Sequence, residues 1–123
     1  MSNTLYREEL LAEYKDPYHF EKRKKYTHSA SSFNAFCGDK VEVYLSVRKN
    51  VIKEAYFYGS GCVISTASAS MLMSFVENKK IADVLKINQK DVLRLLNVSL
   101  TPTRLKCALL SLETIHKALR SVC

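Results

Sequence analysis

The stretch that decides the predicted fold is VEVYLSVRKNVIKEAYFYGSGCVIS, residues 41–65. Across Val41–Arg48, aliphatic side chains alternate with polar or tyrosine side chains, which predicts a strand with one buried face. Lys49-Asn50 predicts a turn, and the β-rich run 51–58 predicts the second strand of a hairpin. A small, serine-rich apolar run follows Cys62. The hairpin is therefore expected to give way to a helix at a cysteine.

The segments on either side of this hairpin complete an α+β prediction. Before it, Thr4–Tyr14 favours a short helix that ends ahead of Asp16-Pro17, and 31–36 favours a third strand. After it, helical segments are predicted at 62–76, 81–85, 91–96 (capped by Asn88) and 105–119. Because no βαβ alternation is present, we expect a three-stranded antiparallel sheet with helices packed on one face. The length predicts a single domain over 1–123.

The net charge of the chain is +7, and a basic surface can meet nucleic acid, a membrane or an acidic protein. The densest basic run, 21–25, is interpreted as a solvated loop, and no nucleic-acid-binding motif accompanies it. No apolar run reaches the length of a membrane helix, and the N-terminus lacks the apolar region of a secretory signal. We therefore expect a cytoplasmic protein that binds neither nucleic acid nor membrane.

The candidate functional residues are the cysteines, because thiols in a reducing compartment more often bind metal or react than form disulfides. Cys37 is followed by Gly38 and Asp39, so a thiolate and a carboxylate can face one point. Cys62 lies behind two glycines at a predicted helix start, where free N–H groups and the helix dipole favour the thiolate.

Cys107 falls about 130° from the apolar stripe of the last predicted helix, at 100° per residue. We therefore expect an accessible thiol there and a free, exposed thiol at Cys123. On spacing alone the first three cysteines are equally compatible with small buried hydrophobic residues. The three histidines are interpreted as surface or packing residues and not as ligands: His19, His28 and His116.

Four segments resemble the IscU/NifU-like family of iron–sulfur cluster assembly scaffolds. They are EYKDPYHF at 13, CGDKVEVYLSV at 37, YGSGCVISTASASMLMSFV at 58 and LTPTRLKCALL at 100. The resemblance implies the family's α+β fold and a shared site of Cys37, Asp39, Cys62 and Cys107. That site would hold zinc, iron or a transient [2Fe–2S] cluster. The resemblance also implies sulfur delivery by a cysteine desulfurase and transfer to recipient apo iron–sulfur proteins. It indicates a scaffold or sulfur acceptor and not a stand-alone enzyme.

Features of two family branches are mixed in this chain. Lys106 stands where the IscU branch has histidine and the SufU branch a basic residue, and it can favour a neighbouring thiolate or pair with Asp39. Leu100–Arg104 partly resembles the IscU segment that binds an Hsp70-type chaperone. The chain lacks the extra stretch that SufU-like proteins carry between their second and third cysteines. Residues 18–20 lack the asparagine and glycine usual in the family's N-terminal loop.

Three functions therefore stay open: cluster assembly, zinc-dependent sulfur transfer without cluster building, and a zinc-stabilised binding module. The IscU resemblance indicates Cys107 as the persulfide acceptor, whereas the SufU resemblance indicates Cys37. The sequence favours Cys107, because it is predicted to lie off the apolar stripe beside the cation of Lys106.

Overall fold

The computed structural model describes residues 3–35 and 38–120, which form five helices and three strands. The elements, in chain order, are α1 (Asn3–Lys15), β1 (His28–Asn34), β2 (Asp39–Arg48), β3 (Val51–Ser60), α2 (Val63–Val76), α3 (Ile81–Leu85), α4 (Gln89–Leu96) and α5 (Pro102–Arg120). The sheet is antiparallel with the order β1-β2-β3. The predicted α+β fold is confirmed, although β1 begins three residues earlier than expected.

The alternation in β2 buries Val41, Val43 and Leu45 on the face of the sheet that meets the helices. β3 departs from strict alternation, because Ser46 pairs with Glu54 while Val47 pairs with Ile52. Lys53 is therefore an extra residue on β3, a β-bulge. The bulge lets Ile52 and Ala55, which are three residues apart, both lie in the core with no exposed surface.

Helices α2 and α5 supply most of the opposing layer of the core. The buried face of α2 is made of small residues as well as large ones: Ala67, Ser68, Ala69, Ser70, Leu72, Met73 and Val76. Ser68 Oγ donates a hydrogen bond of 2.6 Å to the carbonyl of Ala108 on α5. The small side chains thus allow the two helices to approach closely. None of the helices in the described residues is long and apolar enough to span a bilayer.

A crossing segment, residues 16–27, runs from α1 to β1 and covers the outer edge of β3. Phe57 N donates to His19 O at 3.1 Å, and Glu21 N donates to Phe57 O at 3.0 Å. Near the other end of β3, Val51 forms an antiparallel bridge with Lys80. Backbone groups that an edge strand leaves unpaired are thus partly satisfied within the chain.

Glu77, the C-cap residue that follows α2, anchors the crossing segment. Its carboxylate accepts hydrogen bonds from Ala55 N at 2.9 Å and from the Tyr18 hydroxyl at 2.5 Å. It also lies 3.0 Å from His19 Nδ1, and the imidazole ring stacks between Tyr18 and Tyr56. Because the phenol donates to a carboxylate, the pKa of Tyr18 rises from 10.0 to about 12.

We expect Tyr18→Phe to destabilise the protein below pH 10 and to have progressively less effect toward pH 12. The pKa of Tyr18 in the folded protein, about 12, exceeds the unfolded value of 10.0, so the stabilisation is complete below 10 and is lost as pH rises through 12. Urea unfolding from pH 8 to pH 11 measures this difference. The control is Tyr14→Phe, at an exposed tyrosine of α1. A wild-type advantage that stays constant across this range would contradict the assigned hydrogen bond.

Candidate metal site

Three of the four predicted ligands converge where the sheet meets α2 and α5. One ligand atom from each of Asp39, Cys62 and Cys107 lies within 4.8 Å of the other two. These residues are distant in sequence, so only the fold brings them together. The fourth predicted ligand, Cys37, and the terminal Cys123 lie outside the described residues.

Asp39 begins β2 opposite Asn34, the last residue of β1. Its side chain is buried, with 1% exposed. Oδ1 accepts a hydrogen bond of 3.1 Å from Cys62 N, whereas Oδ2 has no hydrogen-bond partner among residues 3–35 and 38–120. An unpaired carboxylate oxygen is unfavourable in the protein interior, and a bound cation removes that penalty. The donor set present therefore fits a metal ion.

Cys62 is the N-cap residue of α2, as the sequence predicted. Its backbone is extended (φ −75°, ψ 175°), and its Sγ accepts from Ser65 N at 3.5 Å. The side chain is partly exposed. The sulfur lies beside the free N–H groups of the first turn of α2, and cysteine sulfur is a common metal ligand.

The two glycines before Cys62 are explained by close approach. Gly59 has φ +154°, and a Cβ there would lie 2.0 Å from the Lys40 carbonyl oxygen. A Cβ on Gly61 would lie 2.2 Å from Ser65 Oγ and 2.9 Å from Asp39 Oδ1. Both positions therefore need glycine for the end of the hairpin to lie against β2 and the first turn of α2.

The expectation that Cys107 is an accessible thiol is wrong, because its side chain is 1% exposed. The predicted apolar stripe represented only part of the buried surface of α5. The helix packs against the sheet and also against α2, so its buried arc is wider than one stripe. Its buried residues are Cys107, Ala108, Leu110, Ser111, Leu112, Thr114, Ile115, Ala118 and Leu119. Lys106, the adjacent residue, is exposed, and its supporting role stays a prediction.

The three histidines make hydrogen bonds outside the cluster of ligand atoms. His19 contacts Glu77 and the Ala55 carbonyl, His28 Nδ1 lies 2.7 Å from Thr27 Oγ1, and His116 Nε2 lies 2.9 Å from the Val84 carbonyl. The hydrogen bond between Asp39 and the Cys62 amide was not predicted from the sequence, although Gly61 between β3 and Cys62 was a signal of close packing there.

The fold and the cluster together define a small α+β domain with a cysteine-and-carboxylate site. A family model described as the NifU-like N terminal domain matches residues 5–122, and the chain belongs to this family. The resemblance stated from the sequence is therefore confirmed.

Named relatives come from both branches of the family. The iron–sulfur cluster assembly scaffold protein IscU of Thermotoga maritima is 32% identical, over 72% of this chain and 74% of its own length. The zinc-dependent sulfurtransferase SufU of Bacillus subtilis is 30% identical, over 94% of this chain and 89% of its own. Several other curated relatives are matched over 56 to 62% of their length.

A solved structure also shares the fold. It is a putative iron–sulfur cluster assembly scaffold protein for the SUF system from Fervidobacterium islandicum, with a TM-score of 0.80 and 24% identity. The match covers 98% of this chain and 100% of the other.

We expect Gly61→Ala to destabilise the protein by about 1–3 kcal/mol, because the new methyl group overlaps Ser65 Oγ and Asp39 Oδ1. Urea unfolding measures the loss. Ser60→Ala, at an exposed neighbouring position, is the control. Adding Ser65→Ala to Gly61→Ala should restore part of the stability by removing the closer contact. Equal stability of Gly61→Ala and Ser60→Ala would show that the predicted overlap is absent.

Proposed function

We propose that this protein takes part in iron–sulfur cluster assembly, accepting persulfide sulfur from a cysteine desulfurase and holding a metal or nascent [2Fe–2S] cluster. The ligands are Cys37, Asp39, Cys62 and Cys107. The observation that carries the proposal is the convergence of three of these donor groups, with a buried Asp39 oxygen that lacks a partner among the described residues.

The donor chemistry supports both zinc and an iron–sulfur cluster. Thiolates are the ligands of iron–sulfur clusters, and three thiolates with one carboxylate also satisfy tetrahedral zinc. Cys37 is two residues before Asp39, so chain connectivity limits the separation of their Cα atoms to about 7.6 Å. Gly38 N donates to Asn34 O at 2.7 Å, so the described residues that flank positions 36–37 are held close together. This connectivity supports Cys37 as the fourth ligand.

The proposed set of three thiolates and one carboxylate suits a cluster that is later released to another protein. A carboxylate is a harder donor than a thiolate and binds iron of a cluster less strongly. The proposed ligand set therefore holds an iron–sulfur cluster less tightly than four thiolates would. Cys62 is partly exposed, which gives one side of the site access to solvent. Recipient apo iron–sulfur proteins are the partners that such release requires.

Sulfur acceptance is assigned to Cys37 in preference to Cys107, because burial removes the reason for favouring Cys107. Ala35 and Gly38, the described residues that flank positions 36 and 37 in the sequence, are both exposed. The Cys37 thiolate attacks the outer sulfur of the desulfurase persulfide. The S–S bond breaks, the desulfurase thiolate leaves, and the sulfur remains on Cys37 as a persulfide.

Zinc-dependent sulfur transfer without cluster building is the second candidate. The match to SufU over 94% of this chain and the presence of Lys106 in the position of a basic SufU residue favour it. For either function, residues 101–104 at the start of α5 are exposed, which supports Leu100–Arg104 as a contact for an Hsp70-type chaperone.

Zinc should raise the melting temperature of the metal-free protein by several degrees, because ligation is coupled to folding. Cys62→Ser should lose most of this shift, and Cys123→Ser should keep it. Metal analysis and an absorption spectrum after anaerobic purification distinguish zinc, which is colourless, from a coloured two-iron cluster. An equal zinc shift in wild type and Cys62→Ser would place the metal elsewhere.

Incubation with a cysteine desulfurase and cysteine should leave a persulfide that mass spectrometry locates on Cys37. Cys37→Ser should lose the persulfide, whereas Cys62→Ser and Cys107→Ser should retain it. Loss in Cys107→Ser alone would reassign the acceptor to Cys107.

Subsequent addition of iron and a reductant separates the two functions, because only a scaffold then develops the visible absorption of a [2Fe–2S] cluster.

A further inference from the structure

A small cavity, partly open to solvent, lies between β2, β3, α2 and α5. It is lined by Lys40, Val41, Phe57, Gly59, Ser60, Ser65, Thr66, Ala69, Leu110 and Ser111. Each segment that carries a described ligand also contributes to this lining. Lys40 follows Asp39, Ser65 lies in the first turn after Cys62, and Ser111 is one helical turn beyond Cys107. The cavity is therefore shared by the three chain segments that the site must hold together.

Ser111 is the polar side chain that distinguishes this cavity from a packing defect. It is 2% exposed, and its Oγ has no hydrogen-bond partner among the described residues. Two other buried hydroxyls of the same helix pair are satisfied: Thr114 donates to Leu110 O at 2.7 Å, and Ser68 donates to Ala108 O. A buried hydroxyl without a partner is unfavourable, so the Ser111 hydroxyl indicates a polar ligand in the cavity.

The accessible space suits a ligand about the size of one water. About 10 Å³ of the cavity is open to the centre of a water-sized sphere, which corresponds to about one molecule. Four polar residues contribute to the lining beside Ser111: Lys40, Ser60, Ser65 and Thr66. An ordered water needs two to four hydrogen-bond partners, and the lining residues carry hydroxyl and backbone groups of the required kind.

We propose that a single ordered water occupies this cavity, bound to Ser111 Oγ, and joins α5 to the first turn of α2 and the adjoining ends of β2 and β3. It acts as a positioning group, because it fixes the relative placement of the segments that carry Asp39, Cys62 and Cys107. The water site stands on the cavity and Ser111 alone; its effect on metal binding rests on the proposed function.

The water is tested on metal-free protein by ¹⁷O magnetic relaxation dispersion, which detects long-lived internal water. Ser111→Val removes the hydroxyl and fills the cavity, so it should lose the signal of one water relative to wild type. Ser68→Ala, which removes a buried hydroxyl that already has a protein partner, should retain it. Equal signals in wild type and Ser111→Val would overturn the proposal.

The melting temperature of Ser111→Ala is a second, independent test of the water. It can be measured even if the valine variant fails to fold. If the cavity holds water, Ser111→Ala should lower the melting temperature by a few degrees, because the water loses a partner. An unchanged or raised melting temperature would indicate a dry cavity with an unpaired hydroxyl, and would overturn the proposal.

The positioning role is measured by zinc competition with a chromophoric chelator. Ser111→Val should weaken zinc binding roughly tenfold, as is usual when a group that orients ligands is removed. Unchanged zinc affinity, with the water lost, would overturn the positioning role. If wild-type protein binds no zinc or iron while the water signal is present, the proposed function fails and the water site stands.

Discussion

The hydrogen bond from the Cys62 amide to Asp39 Oδ1 is the interaction on which the site depends. It joins the first residue of β2 to the residue that caps α2, two points that the hairpin separates by 23 positions. The hydrogen bond also makes the two carboxylate oxygens unequal. Oδ1 accepts from the backbone, whereas Oδ2 has no hydrogen-bond partner among the described residues. The absence of a side chain at Gly61 is what lets this contact form, because a methyl group there would occupy the same space.

Burial and exposure are distributed unequally over the candidate ligands. Asp39 and Cys107 lie in the interior, whereas Cys62 is partly exposed. Buried donors have few alternative positions, so they keep their geometry without a metal and reduce the reorganisation that binding requires. An exposed donor provides the route by which an incoming group reaches the site. The chain thus combines two buried candidate ligands with one that solvent can reach.

Much of the fold could be predicted from short-range patterns, because these patterns reflect local physical causes. Alternation in β2 indicated a strand with one buried face, and Asn88 was predicted as a cap and accepts from Asp91 N at 3.1 Å. The bulge at Lys53 could not be predicted, since it is a property of the pairing between two strands. The early start of β1 has the same origin: His28 and Ser29 join the sheet because Leu45 and Tyr44 extend opposite them.

The site was predicted less completely, for a related reason. The helix start at Cys62 is encoded locally by the glycines and the small residues that follow. The burial of Cys107 depends on two surfaces that α5 contacts at once, and a single apolar stripe represents only one of them. The family resemblance indicated the candidate ligand types, but the contact of the Asp39 carboxylate with the Cys62 amide is visible only in the tertiary structure.

The covering of β3 has a consequence for the behaviour of the protein in concentrated solution. Phe20 pairs with Phe57 and Lys80 pairs with Val51, so backbone groups near both ends of this strand are engaged within the chain. An uncovered edge strand is a template on which a second copy can add its own strand, and successive additions lead to aggregates. The crossing segment opposes such growth by occupying part of this edge. Resistance to aggregation at this edge is therefore supplied by contacts within the polypeptide itself.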